Sequence, residues 1–229
     1  MQEKNIIQHL TDLKKCLILP FIVFVLCSIV GYFLADEIVQ VAKKPIEGKA
    51  ELVFLSLEDG FINAVKIAVN FGLVSCLPFL ICGVYFFIKD ALAPKDQKLI
   101  KIMLFLSITL FVLGASFAYY FILPLAWDFF LDFTSLGAKF TLGFSSYINL
   151  CCTFLLCFGV AFQFPIVLYL LIRFGIIKTE WLKTKRRHTF LLCFVISAIL
   201  TPPDAISQIV LGLILYSSFE VVLFLTGKT

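Results

Sequence analysis

Residues 197–208 read Ser-Ala-Ile-Leu-Thr-Pro-Pro-Asp-Ala-Ile-Ser-Gln, two prolines and a carboxylate between two apolar runs. The run before them, Thr189–Leu200, is bounded on its other side by Lys185, Arg186 and Arg187. As a helix, its 12 residues rise about 18 Å, against a bilayer core of about 30 Å. The run after them, Ala205–Leu225, is long enough to cross but starts directly after Pro202, Pro203 and Asp204. Whether the chain folds in water or in lipid therefore decides what this corner is for.

Composition answers that first point. The 229 residues are 61% hydrophobic and 15% charged, where a soluble domain averages about 45–50% and about 25%. This predicts an all-α integral membrane protein. Working outward from the corner, six apolar segments appear, at 17–35, 61–88, 102–125, 147–172, 189–200 and 205–225. Four are long enough to span, the fifth is the short one, and the sixth has 21 residues but a register that depends on where the fifth ends. No small-residue cleavage site follows the first, so it reads as a retained span rather than a signal peptide. The connections at about 36–60 and 126–146 are too small for independent domains and are expected to cap the bundle. No internal repeat is visible, so the chain reads as a single membrane domain over 1–229.

Charge sets the expected orientation. One side carries fourteen Lys and Arg: Lys4, Lys14 and Lys15; Lys89, Lys95, Lys98 and Lys101; Arg173, Lys178, Lys183, Lys185, Arg186 and Arg187; and Lys228. The other carries four: Lys43, Lys44, Lys49 and Lys139. The positive-inside rule places both termini in the cytoplasm.

Polar groups inside apolar segments are few and costly, so each needs a reason. Asn63, Lys66 and Asn70 share one helix face by spacing. They read as a snorkelling lysine with two helix–helix amides, or as a polar groove lining. Gln163 lies near the middle of the fourth segment with Pro165 two positions on. It marks a kink with an interhelical hydrogen bond, or a polar point on an intramembrane surface. Glu220 lies near the end of the last segment and reads as a snorkelling carboxylate at the interface. Asp12 and Asp96 lie just before the first and third segments, where two carboxylates suit arriving guanidinium groups. The eight cysteines lie in or beside apolar runs without metal-like spacing, as small hydrophobes. No phosphate loop, HExxH or GxSxG is present, and His9 and His188 have no ligand partners by spacing. The residues thus point to no catalytic site, metal, cofactor or nucleic-acid partner.

Four stretches, in order, resemble one family. His9-Leu10-Thr11-Asp12-Leu13-Lys14 resembles the amino-terminal His-Leu-x-Glu-Leu-Arg of the TatC family, the multispanning core of the twin-arginine protein translocase. Phe111-x-x-Gly114-x-x-Phe117-Ala118-Tyr119, with Pro124, Phe129 and Phe130, is similar to its third-span signature. Phe158-Gly159-Val160-Ala161-Phe162-Gln163-Phe164-Pro165 resembles its Phe-Gly-x-x-Phe-Glu-x-Pro. Thr201-Pro202-Pro203-Asp204 with Ser207 and Gln208 is the most specific match.

The resemblance implies six spans in a curved, glove-like bundle with the last two helices short. It implies a non-enzymatic receptor for twin-arginine signal peptides, driven by the proton-motive force, in the bacterial cytoplasmic (inner) membrane or, less favoured, an organelle membrane. The family's signal-peptide acids match Asp12 and Asp96, both Asp where Glu is usual. Lys14 replaces its Arg, and Phe87 matches its apolar contact. Gln163 replaces an intramembrane Glu, which removes a titrating role and leaves a hydrogen-bonding one. Asp204 and Glu220 join it as intramembrane polar or partner-contact candidates. Pro45 and Asp59 match outer-loop positions. The fifth helix and Gln208 match the region that docks the single-span partners TatA and TatB, and self-association in a complex is expected. Two other readings remain, a secondary transporter for small solutes and an intramembrane enzyme. The first needs charges or paired broken helices at the midplane, the second two reactive side chains at matching depth.

Overall fold

A computed structural model of the chain describes the backbone of residues 2–47, 51–89, 94–132, 141–202 and 204–227. Side chains are described for these apart from 2–17, 78, 81–89, 94–100, 132 and 141. The chain is mostly helical. In order come α1 (Gln2–Phe33), α2 (Ala35–Lys43), a 3-10 turn (Lys44–Ile46), β1 (Glu51–Val53), α3 (Asp59–Lys89) and α4 (Pro94–Phe117). A π-helical turn (Ala118–Ile122), α5 (Leu123–Asp132), β2 (Thr141–Gly143), α6 (Phe144–Ala161) and α7 (Phe164–Arg173) follow. The chain closes with α8 (Thr179–Thr184), α9 (Arg186–Leu200) and α10 (Ala205–Thr226).

Among the described residues, four helical stretches are long and apolar enough to cross a bilayer: Asp59–Leu77, Lys101–Leu131, Phe144–Arg173 and Ala205–Thr226. A fifth arises if Ile18–Phe33 and Ala35–Ile46, bent by 74° at Leu34, are taken together. Many large apolar side chains on these helices are exposed, among them Phe105, Val112, Val167, Leu213 and Val221. In water such a surface would aggregate; in lipid it is the solvated face.

The chain divides into two compact units. The first comprises Met1–Lys44 and Phe54–Thr109. Its centre is the antiparallel pair α1 and α3, which approach closely because small residues sit at the crossing. A Cβ on Gly31 would lie 2.9 Å from Phe71 Cβ, and one on Gly72 would lie 2.8 Å from the Phe24 carbonyl and collide with Ser28 Oγ. Pro20 is inside α1 and buried, and the helix runs on through it.

The second unit comprises Pro45–Val53 and Leu110–Thr229. Here α4 and α6 interlock through glycines. A Cβ on Gly159 would strike the Phe111 ring at 2.5 Å, and one on Gly114 would lie 2.6 Å from the Phe158 carbonyl and 2.9 Å from the Phe162 ring. Phe117 packs within 6.1 Å of both Phe158 and Phe162. The Phe111…Gly114 and Phe158-Gly159 signatures are therefore two halves of one contact.

The structure corrects several expectations. The connections at 36–60 and 126–146 are not plain loops. The first holds α2, the second the end of α5, and β1 pairs with β2 in parallel from Glu51–Thr141 to Val53–Gly143. The fold is thus mostly, not wholly, α. The third segment runs past residue 125. In a straight helix the Pro124 ring would strike the Tyr120 carbonyl. The π turn relieves this, with the Leu123 amide reaching back five residues to the Ala118 carbonyl. The fourth segment is two helices, α6 and α7, parted at Phe162 and Gln163, with Pro165 in the first turn of α7. The fifth helix has 15 residues rather than 12, because Arg186, Arg187 and His188 form its first turn. At about 22 Å it is still short of a bilayer core.

Candidate functional site

The corner at 197–208 is the best-defined polar cluster in an apolar chain. α9 ends at Leu200 because a residue before proline is driven out of the helical region. Thr201 accordingly has φ −93° and ψ 152°. Side-chain hydroxyls bond back onto carbonyls of the last turns, and a thiol from another helix takes the final carbonyl. Thr201 Oγ1 and Thr201 N both donate to Ser197 O at 2.9 Å, and Ser197 Oγ donates to Phe194 O at 2.9 Å. Cys157 reaches across from α6 and donates its thiol to Leu200 O at 2.9 Å.

Asp204 then starts α10. Its Oδ2 accepts from Ser207 N at 2.7 Å and its Oδ1 from Ser207 Oγ at 2.6 Å. Asp204 is 2% exposed and Ser207 fully buried. This is an N-cap, in which a carboxylate satisfies orphan amides and faces the positive end of the helix. The candidate partner-contact carboxylate is thus engaged within its own chain. Gln208 follows, half-buried, with its backbone N–H donating to Asp204 O at 3.3 Å.

Glu220 is held at the far end of α10. Its Oε1 accepts from Tyr216 OH at 2.9 Å, and its Oε2 lies 3.3 Å from Arg186 Nη2. Phe190 packs edge-on to Tyr216 at 5.1 Å. Glu220 therefore ties the start of α9 to α10, where a lone snorkelling carboxylate was expected. The sequence marks Arg186 only as an inside charge, and the i, i+4 spacing of Tyr216 and Glu220 is the signal it offers for the rest.

Gln163 occupies the α6–α7 break, half-buried. Its backbone carbonyl accepts from Ile166 N and Val167 N at 3.1 Å, and its backbone N–H donates to Val160 O at 2.9 Å. Asp59 is 9% exposed and folds back, with Oδ2 accepting from Leu55 N at 2.8 Å and Ser56 N at 3.0 Å. Asn63 Nδ2 donates to Asp59 O and Asn70 Nδ2 to Lys66 O, each one turn back in α3. Pro45 is half-buried in the 3-10 turn beside buried Ile46.

The side chains of Asp12, Lys14, Phe87 and Asp96 lie outside the described residues. Their backbones lie in α1, near the end of α3 and in the first turn of α4. The antiparallel register of α1 on α3, with Gly31 by Phe71 and Ser28 by Gly72, carries the level of Asp12 and Lys14 towards the end of α3 that holds Phe87. Among the described residues no group of His, Cys, Asp and Glu has the arrangement of a metal site.

Comparison with known proteins now bears on this geometry. The family described as Sec-independent protein translocase protein (TatC) matches residues 8–213. The chain is 32% identical over 231 residues to the Sec-independent protein translocase protein TatC of Carboxydothermus hydrogenoformans, covering 98% of this chain and 94% of that one. It is 30% identical to the TatC of Escherichia coli, covering 96% and 86%. A crystal structure of the twin-arginine translocase receptor TatC in DDM superposes with a TM-score of 0.84 at 34% identity, covering 95% of this chain and 98% of that one. A second crystal structure of that receptor gives 0.82 at 33%. With its helices long enough to cross a membrane, its glycine-locked signature pair and its capped corner, this multi-pass membrane protein belongs to the TatC family of Sec-independent protein translocase components.

Proposed function

We propose that the chain is the receptor and scaffold for folded-protein export, binding twin-arginine signal peptides at the cytoplasmic face. The observation that carries this is similarity over nearly the whole chain to translocase proteins and to a solved twin-arginine receptor. In this reading one membrane domain of six spans covers the chain in a curved bundle. Both termini are cytoplasmic, by fourteen basic residues against four. Asp12 and Asp96 accept the two guanidinium groups of the signal peptide, each able to form paired N–H···O bonds. Lys14 and Phe87 flank them, one supplying charge balance and the other an apolar contact. The antiparallel register of α1 on α3 supports this, since it carries Asp12 and Lys14 towards the end of α3 that holds Phe87.

The short α9, with Gln208 on α10, faces single-span partners of the TatA and TatB kind. Gln163 offers a hydrogen bond there without titrating. Several copies assemble, in a bacterial cytoplasmic membrane, and the proton-motive force drives transport. Pro45 and Asp59 shape the outer side.

A photo-crosslinking probe at Asp96, then at Asp12, tests the receptor reading in membranes given a twin-arginine signal peptide or its twin-lysine variant. Selective capture of the arginine form is expected. Equal capture of both, or none at either position in membranes holding folded protein, would mean the site is elsewhere.

A further inference from the structure

The segment joining α7 to α9, residues 173–188, is built to present an apolar and basic surface. It starts with a tight turn. Gly175 has φ +71°, a left-handed conformation that glycine adopts without Cβ strain. Around it, Gly175 N donates to Ile172 O at 3.0 Å and Ile176 N to Leu171 O at 3.0 Å. Two inward side chains pin the segment. Leu182 is 5% exposed in a cluster with Leu168, Phe219, Val222 and Leu223, and Ile177 packs against that cluster. With these two fixed inward, Ile176 and Trp181 are turned out, 68% and 57% exposed. Lys178, Lys183, Lys185, Arg186 and Arg187 are all exposed on the same segment, against the single acid Glu180.

A purely solvated loop accounts for the charges but not for an isoleucine and a tryptophan held outward by their buried neighbours. Both features fit one environment, the headgroup layer of a bilayer. There an indole and an aliphatic side chain enter the acyl boundary while ammonium and guanidinium groups meet phosphates. The level is also right, because the segment connects helix ends directly: α7 stops at Arg173 and α9 starts at Arg186.

We propose that this segment is a docking surface for anionic phospholipid headgroups. Trp181 and Ile176 are its apolar anchors, and Lys183, Lys185 and Arg187 are its phosphodiester contacts. Arg186 is set apart, since Glu220 engages it. The proposal is independent of the receptor reading and holds for whichever leaflet the segment faces.

The test uses the full chain in vesicles of phosphatidylcholine with a minority of phosphatidylglycerol. With Trp127→Phe, Trp181 is the remaining tryptophan, and brominated phosphatidylcholine should quench it. In detergent, the Lys183→Gln/Lys185→Gln/Arg187→Gln variant should lose co-purifying phosphatidylglycerol relative to phosphatidylcholine by roughly tenfold. The charge-preserving Lys183→Arg/Lys185→Arg/Arg187→Lys variant should keep it, which separates lipid contact from misfolding. The outer pair Lys43→Gln/Lys44→Gln should also keep it. Absence of quenching, unchanged phosphatidylglycerol in the glutamine variant, equal loss in the outer pair, or loss in the charge-preserving variant would each overturn the proposal. So would a photo-crosslinker at Ile176 that captures protein rather than lipid.

Discussion

Two of the proline breaks in the apolar helices of the second unit have different outcomes. At Gln163–Pro165 only Phe162 and Gln163 leave the helix, and the chain remains a candidate span from Phe144 to Arg173. At Thr201–Asp204 one helix ends and another begins. The difference lies in the residue that opens the next helix. Gln163 precedes α7 with φ −79° and ψ −19°, still helical, so α6 runs into α7 with little loss of hydrogen bonding. Asp204 precedes α10 with φ −121° and ψ 132°, extended, and its carboxylate caps the new helix. A proline alone makes a joint. A proline pair followed by a capping acid makes a terminus and a fresh start.

The sharpest way to break that contrast is Asp204→Ala. It strips two acceptors from buried Ser207, and about 2 kcal/mol or more of stability should go, read as a lower unfolding midpoint in detergent. Asp204→Asn keeps a capping oxygen and should lose less than half of that. If the two variants are equally harmful, capping is not what holds the corner. Next in size is Cys157→Ala, which leaves the Leu200 carbonyl unpaired in an apolar setting. A cost of about 1 kcal/mol is expected, with Cys157→Ser recovering most of it by restoring a donor.

Arg186→Gln removes an ion pair whose side chains are 51% and 33% exposed. Solvent screening limits its effect to about 0.5 kcal/mol, and the effect should shrink further in high salt. The smallest change belongs to the other break. Pro165→Ala restores an amide in the first turn of α7, where few helix bonds are missing. Its stability should move by under about 0.5 kcal/mol in either direction. A larger loss there would show that Pro165 contributes packing beyond the break itself.

Much of this was legible in residues 1–229. A 61% hydrophobic composition implies lipid as solvent, and Pro202 next to Pro203 implies a helix end wherever it lies. Asp204 three residues before Ser207 has the spacing of a cap, although the resemblance sets it only among intramembrane polar or partner-contact candidates. The break at Gln163 was marked by Pro165. Other features had no local signal. The 3-residue ladder of β1 with β2 joins stretches about ninety positions apart, so neither strand has a pattern of its own. Cys157 and Leu200 are 43 residues apart, and nothing near either names the other. Arg186 and Glu220 each look like an ordinary interfacial charge until the helices carrying them are packed.

What the sequence determined by itself is whatever depends on one turn of backbone: where proline breaks a helix, what spacing can cap the next one, and that lipid surrounds them. These follow from sterics and solvation, which act between near neighbours. Only the tertiary structure decided which helix meets which and through which side chains. Gly114 and Gly159 show why. The sequence marks each as part of a signature without naming its partner, and each is required because a phenylalanine from beyond its own helix fills the space its side chain would take. Shape complementarity between distant segments has no local signature, because in lipid both faces of every helix are apolar and hydrophobicity no longer says which face turns inward.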